Sequence, residues 1–517
     1  GWRLLAEILV ALGRPQDALN AMRRVVLLGA IELRDWLFLA DCRQALGRPE
    51  EALSDLLRAA YRAPDDLTVA ARVVEGALGF GLATTVEAFL SKLEAANFEP
   101  KRVAQLRARA AQLTKPGPVV DLLITHNEVC RRHGTGVLLE RYFEGSGPFV
   151  TLRSHTLYEG QTNFTATHLY LDAAPMEPGE EEAHVRELLS NYTVRRILCV
   201  PFYEADTRRA VLARRLTGAP LCAYVMDDQT LFAKGIPHGS ARLLFEAAQL
   251  RLVISPEMRD AYEAKFDLPF DVMPPLLTSR EGHHVNRWTP TKDRPARRAA
   301  LVGNVWSAGQ FAQLRAFVRS AGLQLDWFGN AKCAWLPADP KEYERDGIFA
   351  RGFLPESELA ARLVDYPFVV VPSGKLDGTE GNEWLTRLSL PSRMVFLLQT
   401  HTPMLVLGHP DTAASQFVSR LGLGVVAPYE AEDFVAKLDQ LTQPEARKAF
   451  LANAARHSPA FIMPEAGKWI WQSLAAGEAL PAPFDPIYRA GSDADRAPLL
   501  PAAKTASSNI AAYQQLL

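Results

Sequence analysis

The sequence predicts an all-α helical array followed by two α/β domains, each built on a doubly wound parallel sheet. Three observations lead to this prediction: a repeat with a period of 34 residues near the amino terminus, short apolar runs that alternate with amphipathic segments after Pro118, and a length of 517 residues. One hydrophobic core rarely serves so long a chain. We expect the helical array over residues 1–114, the α/β domains over 115–285 and 286–478, and a tail rich in Ala and Pro over 479–517.

Composition and charge exclude several classes of protein. Apolar residues make up 48% and charged residues 22% of the chain, as in ordinary globular proteins. The 57 Lys and Arg nearly balance the 59 Asp and Glu, so no overall field favours nucleic acid or an acidic membrane. Any anionic ligand must therefore be held by a local site. No apolar run is long enough to span a membrane, and the start carries no signal peptide.

The five cysteines are scattered and form no Cys-x-x-Cys pair, which disfavours a disulfide framework or a zinc site. We therefore expect a reducing compartment, the cytoplasm, and leave peripheral attachment to the inner membrane open. The chain begins at Gly1 inside an expected helix, so whether residues precede it in the natural protein also stays open.

The repeat is visible in two copies and a weaker third. The stretch 11–19 recurs as 45–53, and Gly13, Gly47 and Gly81 are spaced by 34 residues. The second copy carries most of the pattern, at Trp36, Leu39, Ala40, Gly47, Ala52, Leu56, Ala59 and Pro64. These positions resemble the tetratricopeptide repeat (TPR) family, which implies stacked helix pairs that share a core. An unrelated helical bundle is the alternative. Residues 1–113 could recognise a peptide or partner protein, or pack on the next domain.

Strands are expected wherever a short apolar run ends near a turn signal. The first set is Val119–Ile124, Phe149–Arg153, Ala166–Tyr170, Arg196–Val200, Leu221–Met226 and Leu250–Ile254. The second set is Arg298–Val302, Leu323–Trp327, Gly347–Phe349, Phe368–Val371, Pro403–Val406 and Gly424–Val426. Helices are expected over Gly136–Phe143 and Pro464–Ala475, and the polar stretch Arg280–Arg297 suits a linker.

Two such domains in tandem resemble the GT-B glycosyltransferases, over about residues 119–475. The resemblance implies an active site in the cleft between the domains. It also implies an acceptor on the first domain and a nucleotide-sugar donor on the second, and a last helix that returns to the first domain.

A glycine turn is the first candidate site. His133-Gly134-Thr135-Gly136 follows the first expected strand and precedes a helix. Glycines there let backbone N–H groups approach an anion, and in GT-B enzymes a glycine loop at this place faces the donor diphosphate. A plain strand-to-helix turn would also need glycine.

A pair of carboxylates is the second candidate. Asp227 and Asp228 follow the apolar run Leu221–Met226, at the strand end that faces the ligand crevice in open α/β sheets. Family-4-like glycosyltransferases often carry a His-Asp pair here. Adjacent carboxylates repel, so one could have a raised pKa and act as a base; both could equally cap the next helix.

The strongest candidate is the segment Ser389-Leu390-Pro391-Ser392-Arg393, which resembles the Ser-Leu-Pro-Ser-Lys motif of bacterial surface-sugar transferases. We expect a helix that starts at Pro391 with Ser389 or Leu390 as its cap. Ser392 and Arg393, with the loop from Ser373 to Glu383, would then form a diphosphate cradle. An ordinary helix start with a surface arginine is the alternative.

Several positions depart from the family-4-like pattern. Phe396 stands where a second glutamate is usual, and Gly303-Asn304 stands where Arg and Lys are usual. Glu380 or Glu383 could replace the first glutamate, and Lys332 and Arg351 could supply the missing charge.

Three histidines lie near the ends of early strands: His126, His155 and His168. An imidazole titrates near neutral pH, so each could be a catalytic base at the acceptor. His126 is best placed by sequence because it directly follows the first strand.

The resemblance and these residues predict transfer of a hexose or related sugar from a UDP-, GDP- or other nucleotide-sugar to an acceptor. The acceptor would be a protein recognised by the TPR region, or a surface glycan. No Asp-x-Asp metal motif lies in the two expected α/β domains, and a helix dipole and Arg393 could neutralise the leaving diphosphate, so no metal is expected. Two alternatives stay open: sugar-nucleotide epimerisation or hydrolysis, and an inactive GT-B domain that serves as a binding scaffold.

Overall fold

The computed structural model describes residues 1–29, 31–113, 117–174, 176–177, 179–279, 284–289, 297–305, 307–329, 336, 339, 341–379 and 383–489. They form two compact units. The first comprises Gly1–Arg132, Glu144–Tyr224 and Gly239–Leu250; the second comprises His133–Phe143, Val225–His238 and the chain from Arg251 onward.

Seven helices open the first unit: α1 (Trp2–Ala11), α2 (Pro15–Leu27), α3 (Leu33–Ala45), α4 (Pro49–Arg62), α5 (Leu67–Gly79), α6 (Ala83–Ala95) and α7 (Pro100–Ala110). Gly13, Gly47 and Gly81 stand in the turns within the first three pairs, at φ of 71°, 70° and 69°. A residue with a Cβ would be strained at such angles. One helix pair therefore corresponds to one period of 34 residues in the sequence.

The α/β part of the first unit contains β1 (Val119–Thr125), β2 (Phe149–Arg153), β3 (Thr167–Tyr170), β4 (Thr193–Cys199) and β5 (Leu221–Val225). These strands are parallel and lie in the order β3-β2-β1-β4-β5. The helices of this stretch are α8 (Gly134–Phe143), which belongs to the second unit, α9 (Glu180–Leu189), α10 (Glu204–Thr217) and α11 (His238–Ala247).

Buried ion pairs join the helical array to this sheet. α4 packs on β3 and α9, and the Arg58 guanidinium donates to Glu180 at 3.0 Å, with both side chains almost fully buried. Arg58 also lies 4.0 Å from the centre of the Trp36 ring. Arg43 pairs with Asp55 at 2.6 Å and with Asp172 at 3.2 Å. Of the two roles left open for the array, packing on the neighbouring domain is observed.

The second unit contains β6 (Leu250–Val253) and β7 (Asp271–Val272), which are parallel, and a six-stranded parallel sheet. The sheet consists of β8 (Arg298–Val302), β9 (Gln324–Phe328), β10 (Ile348–Ala350), β11 (Val369–Pro372), β12 (Met404–Leu407) and β13 (Gly424–Ala427). The strand order is β10-β9-β8-β11-β12-β13. Its central strands are apolar throughout because both faces are covered.

The helices of the second unit complete the layers. They are α12 (Pro256–Phe266), α13 (Ala308–Ser320), α14 (Lys341–Glu344), α15 (Glu356–Leu363), α16 (Trp384–Leu388), α17 (Arg393–Gln399), α18 (Ala413–Leu421), α19 (Ala431–Thr442), α20 (Pro444–His457), α21 (Ala466–Ala476) and α22 (Asp485–Arg489). Ser255 caps α12, because its hydroxyl accepts the Met258 N–H. No helix among the described residues has both the length and the apolar character needed to cross a membrane.

One strand start was predicted wrongly. β4 begins at Thr193, three residues before the expected Arg196. Two consecutive arginines hide the strand in the sequence, but both guanidinium groups bind the buried carboxylate of Asp121 on β1, each through contacts of 2.8 to 2.9 Å. The other strand ends lie within one residue of their predicted places.

Two segments pack more closely than their composition suggests. In the expected linker, Asn286 and Trp288 are buried, and the Arg447 guanidinium donates to the side-chain amide oxygen of Asn286 and to the backbone carbonyl of Trp288. In the expected tail, Phe484 and Tyr488 are buried and extend the apolar core around α21. Both segments therefore belong in part to the folded core; residues 490–517 of the tail lie outside the described residues.

The Arg58–Glu180 pair gives a stability prediction. We expect Glu180→Ala to lower the free energy of unfolding by about 3–5 kcal/mol, because a buried guanidinium loses its main partner. Asp17→Ala removes an exposed partner of Arg14 and should cost about 1 kcal/mol or less. Urea denaturation measures both values. If Glu180→Ala and Asp17→Ala lowered the free energy of unfolding equally, the buried Arg58–Glu180 pair would not stabilise the contact between α4 and α9.

Candidate functional site

The glycine turn and the Ser389–Arg393 segment meet in the second unit. α8 begins at Gly134, two residues before its predicted start. A Cβ on Gly134 would lie 3.0 Å from the Ser392 hydroxyl oxygen, so glycine permits the close approach. The N–H of Gly136 points instead at His133 Nδ1, at 3.3 Å, and is used inside the turn.

Asp228 is fully buried and holds the loop after β5. Its carboxylate accepts the backbone N–H groups of Thr230 at 3.1 Å, Leu231 at 2.9 Å and Phe232 at 2.9 Å, and the Tyr262 hydroxyl at 2.8 Å. Burial raises its pKa, against the effect of these donors. The Asp228 carboxylate thus accepts consecutive backbone N–H groups as a helix cap does, but the N–H groups belong to a loop.

Asp227 differs from its neighbour because its side chain is partly exposed. Burial raises its pKa to about 7, and the charge of Asp228 adds to this rise. The Ser389 hydroxyl hydrogen-bonds the Asp227 carboxyl and accepts the N–H of Asp228 at 3.1 Å. Asp227 can therefore exchange a proton near neutral pH beside the Ser389–Arg393 segment.

The expected helix start at Pro391 is wrong. Ser389 instead ends α16, and α17 begins at Arg393 with Ser392 in the cap position. The reason is tertiary: Ser389 is engaged by the Asp227–Asp228 turn, and the Leu388 carbonyl accepts the Ser255 hydroxyl at 2.5 Å. The segment 389–392 therefore connects two short helices, with Ser389 extended and Ser392 already helical.

Arg393 lacks a compensating charge. Among the residues that the structure describes, no carboxylate pairs with its guanidinium, which donates only to the Pro372 carbonyl at 3.3 Å. Its Nε is buried and has no hydrogen-bond partner there. Burial lowers its pKa to about 10. The group lies against Gly303, where a Cβ would clash with the guanidinium. A partly buried cation without a carboxylate among the described residues favours an anionic ligand.

The loop after β11 is shaped by Glu383. Its carboxylate accepts the backbone N–H groups of Asp377 and Gly378, and it is nearly buried. Ser373 is also buried, and its carbonyl accepts the Tyr429 hydroxyl at 2.9 Å. Both residues thus position the loop through their own hydrogen bonds.

The departures from the family-4-like pattern have structural counterparts. Phe396 lies in the apolar core, whereas Asn304 is exposed. Arg351 pairs with the buried Asp326 at 2.6 Å, so its positive charge is already compensated by a carboxylate. Lys332 and Glu380 lie outside the described residues.

The three histidines belong to the first unit. His126 is buried and stacks on the Phe202 ring at 3.9 Å. His155 is partly exposed and stacks on the Tyr203 ring at 4.0 Å. His168 holds Thr151 through Nδ1, at 2.8 Å, and the Phe164 carbonyl through Nε2, at 3.1 Å.

The sequence does not indicate the roles of three residues in this region. Ser389 was expected as a helix cap, but its role depends on Asp227, which is far away in the chain. Gly303 appears in the sequence only as a departure from the family-4-like pattern. In the structure its missing side chain leaves space for the Arg393 guanidinium. Gln229 is buried, and its Nε2 has no hydrogen-bond partner among the described residues.

A metal centre is not found in the described part of the chain, where no group of three or more His, Cys, Asp or Glu side chains lies close enough to hold an ion. In the part of the chain that the structure describes, the cysteines at positions 42, 130, 199 and 222 are buried and form no disulfide.

Comparison with known proteins gives matches only among solved structures. No protein-family model and no curated protein sequence matches the chain. A mutant O-GlcNAc transferase of Thermobaculum terrenum is 13% identical, over 94% of this chain and 90% of that chain, with a TM-score of 0.42. WaaG, a glycosyltransferase involved in lipopolysaccharide biosynthesis, is 10% identical over 68% and 99%, with a TM-score of 0.47. HepE of Anabaena, in complex with UDP, is 11% identical over 69% and 100%, with a TM-score of 0.46. At these values neither substrate nor mechanism transfers to this chain.

Asp227 predicts a pH-dependent stability. Its pKa of about 7 in the folded protein lies above the usual value of about 3.9, so the folded state binds the extra proton between these values. This contribution to stability is full below about pH 4 and is lost as the pH rises through about 7. We therefore expect the stability of Asp227→Asn relative to wild type to be greater at about pH 8 than at about pH 5.

Urea denaturation at the two pH values tests this prediction. The exposed Asp433 on α19 supplies the control, because Asp433→Asn should change stability by the same amount at both. A pH-independent difference for Asp227→Asn would contradict a raised pKa.

Proposed function

We propose that the protein is a GT-B glycosyltransferase that moves a sugar from a nucleotide-sugar to an acceptor hydroxyl. The observation that carries this proposal is Arg393, a guanidinium that lies against Gly303 and has no carboxylate partner in the part of the chain that the structure describes. A diphosphate would supply the missing negative charge, and the planar guanidinium can donate two parallel hydrogen bonds to it.

Two other polar groups suit the same ligand. The Ser392 hydroxyl, next to Arg393 in the chain, lies beside the Gly134 backbone. Gln229, next to Asp228 in the chain, has a buried amide donor without a hydrogen-bond partner among the described residues. Hydroxyl, amide and guanidinium donors together match a ligand rich in acceptor oxygens, such as a diphosphate that carries a sugar. Donors of this kind can stabilise the leaving diphosphate without a metal ion.

For Asp227 we propose proton donation to the leaving diphosphate. A bound diphosphate brings negative charge, which raises the pKa of a nearby carboxyl above its value of about 7. The neutral acid then offers a hydrogen bond where a carboxylate would repel the ligand. Asp228 and His126 are assigned positioning roles, because the first caps a loop and the second is buried under Phe202.

The remaining assignments follow from the resemblance. We propose that residues 115–285 form the acceptor domain and 286–478 the donor domain, with Gly136, Ser373, Glu383 and Lys332 on the donor-binding loops. We propose further that the helices of residues 1–114 are TPR repeats and take part in recognising an acceptor protein. The alternative acceptor is a surface glycan. The buried thiols suit a reducing compartment.

A nucleotide panel tests the donor site. UDP, GDP, CMP, ADP and dTDP are each added to the full chain, and the melting temperature is measured. A ligand at about 100 times its Kd stabilises the fold by about 2.7 kcal/mol. We expect one nucleotide to raise the melting temperature of the wild type, and Arg393→Ala to abolish that rise. Arg319→Ala, an exposed arginine on α13, should keep it.

The alternatives are outcomes of this panel. If no nucleotide stabilises the wild type, the transferase proposal fails and the binding scaffold replaces it. If a nucleotide-sugar binds and is consumed at the same rate with and without any added acceptor, the chain is a sugar-nucleotide hydrolase or epimerase.

If Asp227 acts as the acid, the rate of the reaction should decrease at alkaline pH. Release of the nucleoside diphosphate should fall as the pH rises above the pKa of about 7, because the proton is then absent. Asp227→Asn should be slower and should lose this alkaline decline. A decline that persists unchanged in Asp227→Asn would assign the proton to another group.

A further inference from the structure

A cavity of about 590 Å³ lies in the second unit. The start of α12, the last turns of α18 and α20 and the segment 483–488 form its wall. None of these residues belongs to the candidate site around Arg393. Small-molecule sites in proteins usually measure about 300–1,000 Å³, so the volume suits a ligand of that kind.

The wall of this cavity combines basic and apolar groups. Four of its side chains carry a positive charge or gain one on protonation: Arg259, Arg420, Arg456 and His457. Among the described residues of the wall, Asp260 is the one carboxylate. Ile487 and the ring of Tyr488 belong to the apolar part, together with Pro483 and Pro486. Such a wall suits a ligand that joins an anionic group to an apolar one.

Most of the positive charge in the wall is already compensated. Arg259 pairs with Asp260 at 2.9 Å, and Arg420 pairs with Glu257 on α12. Arg456 is exposed and pairs with no carboxylate among the residues that the structure describes. The charge of Arg456 is therefore available to a ligand in the cavity.

His457 adds no charge of its own near neutral pH. Burial lowers its pKa from the usual value of about 6.5, and the positive charge of Arg456 lowers the pKa further. The neutral imidazole has one donor and one acceptor nitrogen. It can therefore form a hydrogen bond with a ligand beside Arg456 without competing for its charge.

Two sides of the cavity are held in place by buried contacts. Where α20 ends, the Ser458 carbonyl accepts the Gln399 side-chain amide at 2.9 Å. On the opposite segment, Tyr488 is 6% exposed, and its ring centre lies 6.4 Å from those of Phe461 and Phe484. A cavity with fixed walls loses little conformational freedom when a ligand binds, which favours affinity.

The hydroxyl of Tyr488 is buried and has no hydrogen-bond partner among the described residues. A buried donor without a partner costs free energy, which a ligand with an acceptor oxygen would recover. Burial raises the pKa of this hydroxyl and the charge of Glu257 adds to the rise, so it stays protonated and can donate. The Arg420 guanidinium lies 5.9 Å from the centre of the same ring.

An arginine at the end of a helix also has a purely structural explanation. A cation in the last turn interacts favourably with the helix dipole, and both Arg456 on α20 and Arg362 on α15 stand there. Both side chains are exposed, but Arg362 is not part of the cavity wall. The dipole acts on the two arginines alike, whereas a ligand in the cavity would contact Arg456 alone of the two.

We propose that this cavity binds a small phosphate ester that carries an apolar group. The guanidinium of Arg456 pairs with the phosphate, the Tyr488 hydroxyl donates to a phosphate oxygen, and the apolar group lies against Ile487. The phosphate belongs either to a free ester or to the head group of an anionic lipid, since both present the same chemistry. The inference goes beyond the proposed function and does not depend on it.

Calorimetric titration of the full chain provides the first test. Phenyl phosphate is the probe, because it joins a phosphate to an apolar ring, and inorganic phosphate and phenol each supply one half of it. We expect phenyl phosphate to bind more tightly than either. Arg456→Gln should weaken this binding by about 10- to 100-fold, because a charge-assisted hydrogen bond is lost, whereas Arg362→Gln should leave it unchanged. No binding, or an equal effect of the two substitutions, overturns the proposal.

Arg393→Ala separates this inference from the proposed function. Phenyl phosphate should bind Arg393→Ala as tightly as it binds the wild type. If Arg393→Ala abolishes binding and Arg456→Gln does not, the probe occupies the donor site and the inference is wrong. If no nucleotide stabilises the wild type while phenyl phosphate binds through Arg456, the proposed function fails and the inference holds.

Tyr488→Phe distinguishes a binding role of the hydroxyl from a structural one. Without a ligand, the melting temperature should stay the same or rise, because a buried donor without a described partner is removed. The affinity for phenyl phosphate should fall by about 2- to 10-fold, because one neutral hydrogen bond is lost. A lower melting temperature with an unchanged affinity would contradict the contact between Tyr488 and the phosphate.

Sedimentation with vesicles identifies the source of the phosphate. Vesicles of phosphatidylcholine alone are compared with vesicles of equal parts phosphatidylcholine and phosphatidylglycerol. If a lipid head group is the ligand, the chain sediments with the mixed vesicles only, and Arg456→Gln reduces this more than Arg362→Gln does. If the chain stays in solution with both, a free ester is the ligand. Sedimentation that the two substitutions reduce equally reports general surface charge and overturns a head group as the ligand.

Discussion

The Ser389 hydroxyl is the contact on which the candidate site depends. It accepts the backbone N–H of Asp228 and hydrogen-bonds the side chain of Asp227, and so fixes the loop after β5 against the segment that leads to Arg393. Only a group that both donates and accepts can do this in so small a space. Asp228 supports the same arrangement from the other side, because its four donors hold the loop in which Asp227 stands.

The electrostatics of this region differ from those of the surrounding unit. Several arginines of the unit pair with carboxylates, as Arg298 does with Asp326 and Arg315 with Asp346. Arg393 has no such partner among the described residues, and Asp227 is half neutral near pH 7. Arg393 therefore adds an uncompensated positive charge here, although the whole chain has a net charge of −2. A binding site for an anion needs this local excess, and the average composition conceals it.

Local patterns predicted most of the fold. The runs that became β11 and β12 are apolar along their whole length, and the glycine spacing of 34 residues marks the helix pairs. The errors occur where a distant partner changes the meaning of a residue. Arg195 and Arg196 predict a loop by composition, but in the structure both bind the buried Asp121 and lie within β4. Ser389 predicts a helix cap, but in the structure it hydrogen-bonds Asp227.

The candidate site shows the same limit. Asp227 was selected because it stands at the end of an apolar run, where ligands bind in α/β sheets. Gly134 was selected as part of a glycine turn before a helix, and Ser392 and Arg393 through a motif resemblance. The bond between Ser154 and Asp206 could not be inferred, because it depends on the contact between a strand end and a helix that begins about fifty residues later in the chain. Sequence favoured His126 by its position alone and could not show that its ring is buried against Phe202.

The ion pairs between α4 and the first sheet also determine how this chain can be divided. Repeat arrays are usually treated as interchangeable modules, since each unit contacts only its neighbours. Here Glu180, Asp172 and Arg153 have their charge partners on α3 and α4, so a fragment without these helices would present unmatched charges on an exposed apolar face. Chimaeras that graft a new recognition module should therefore join ahead of α3. The second helix pair is, in energetic terms, a component of the α/β domain.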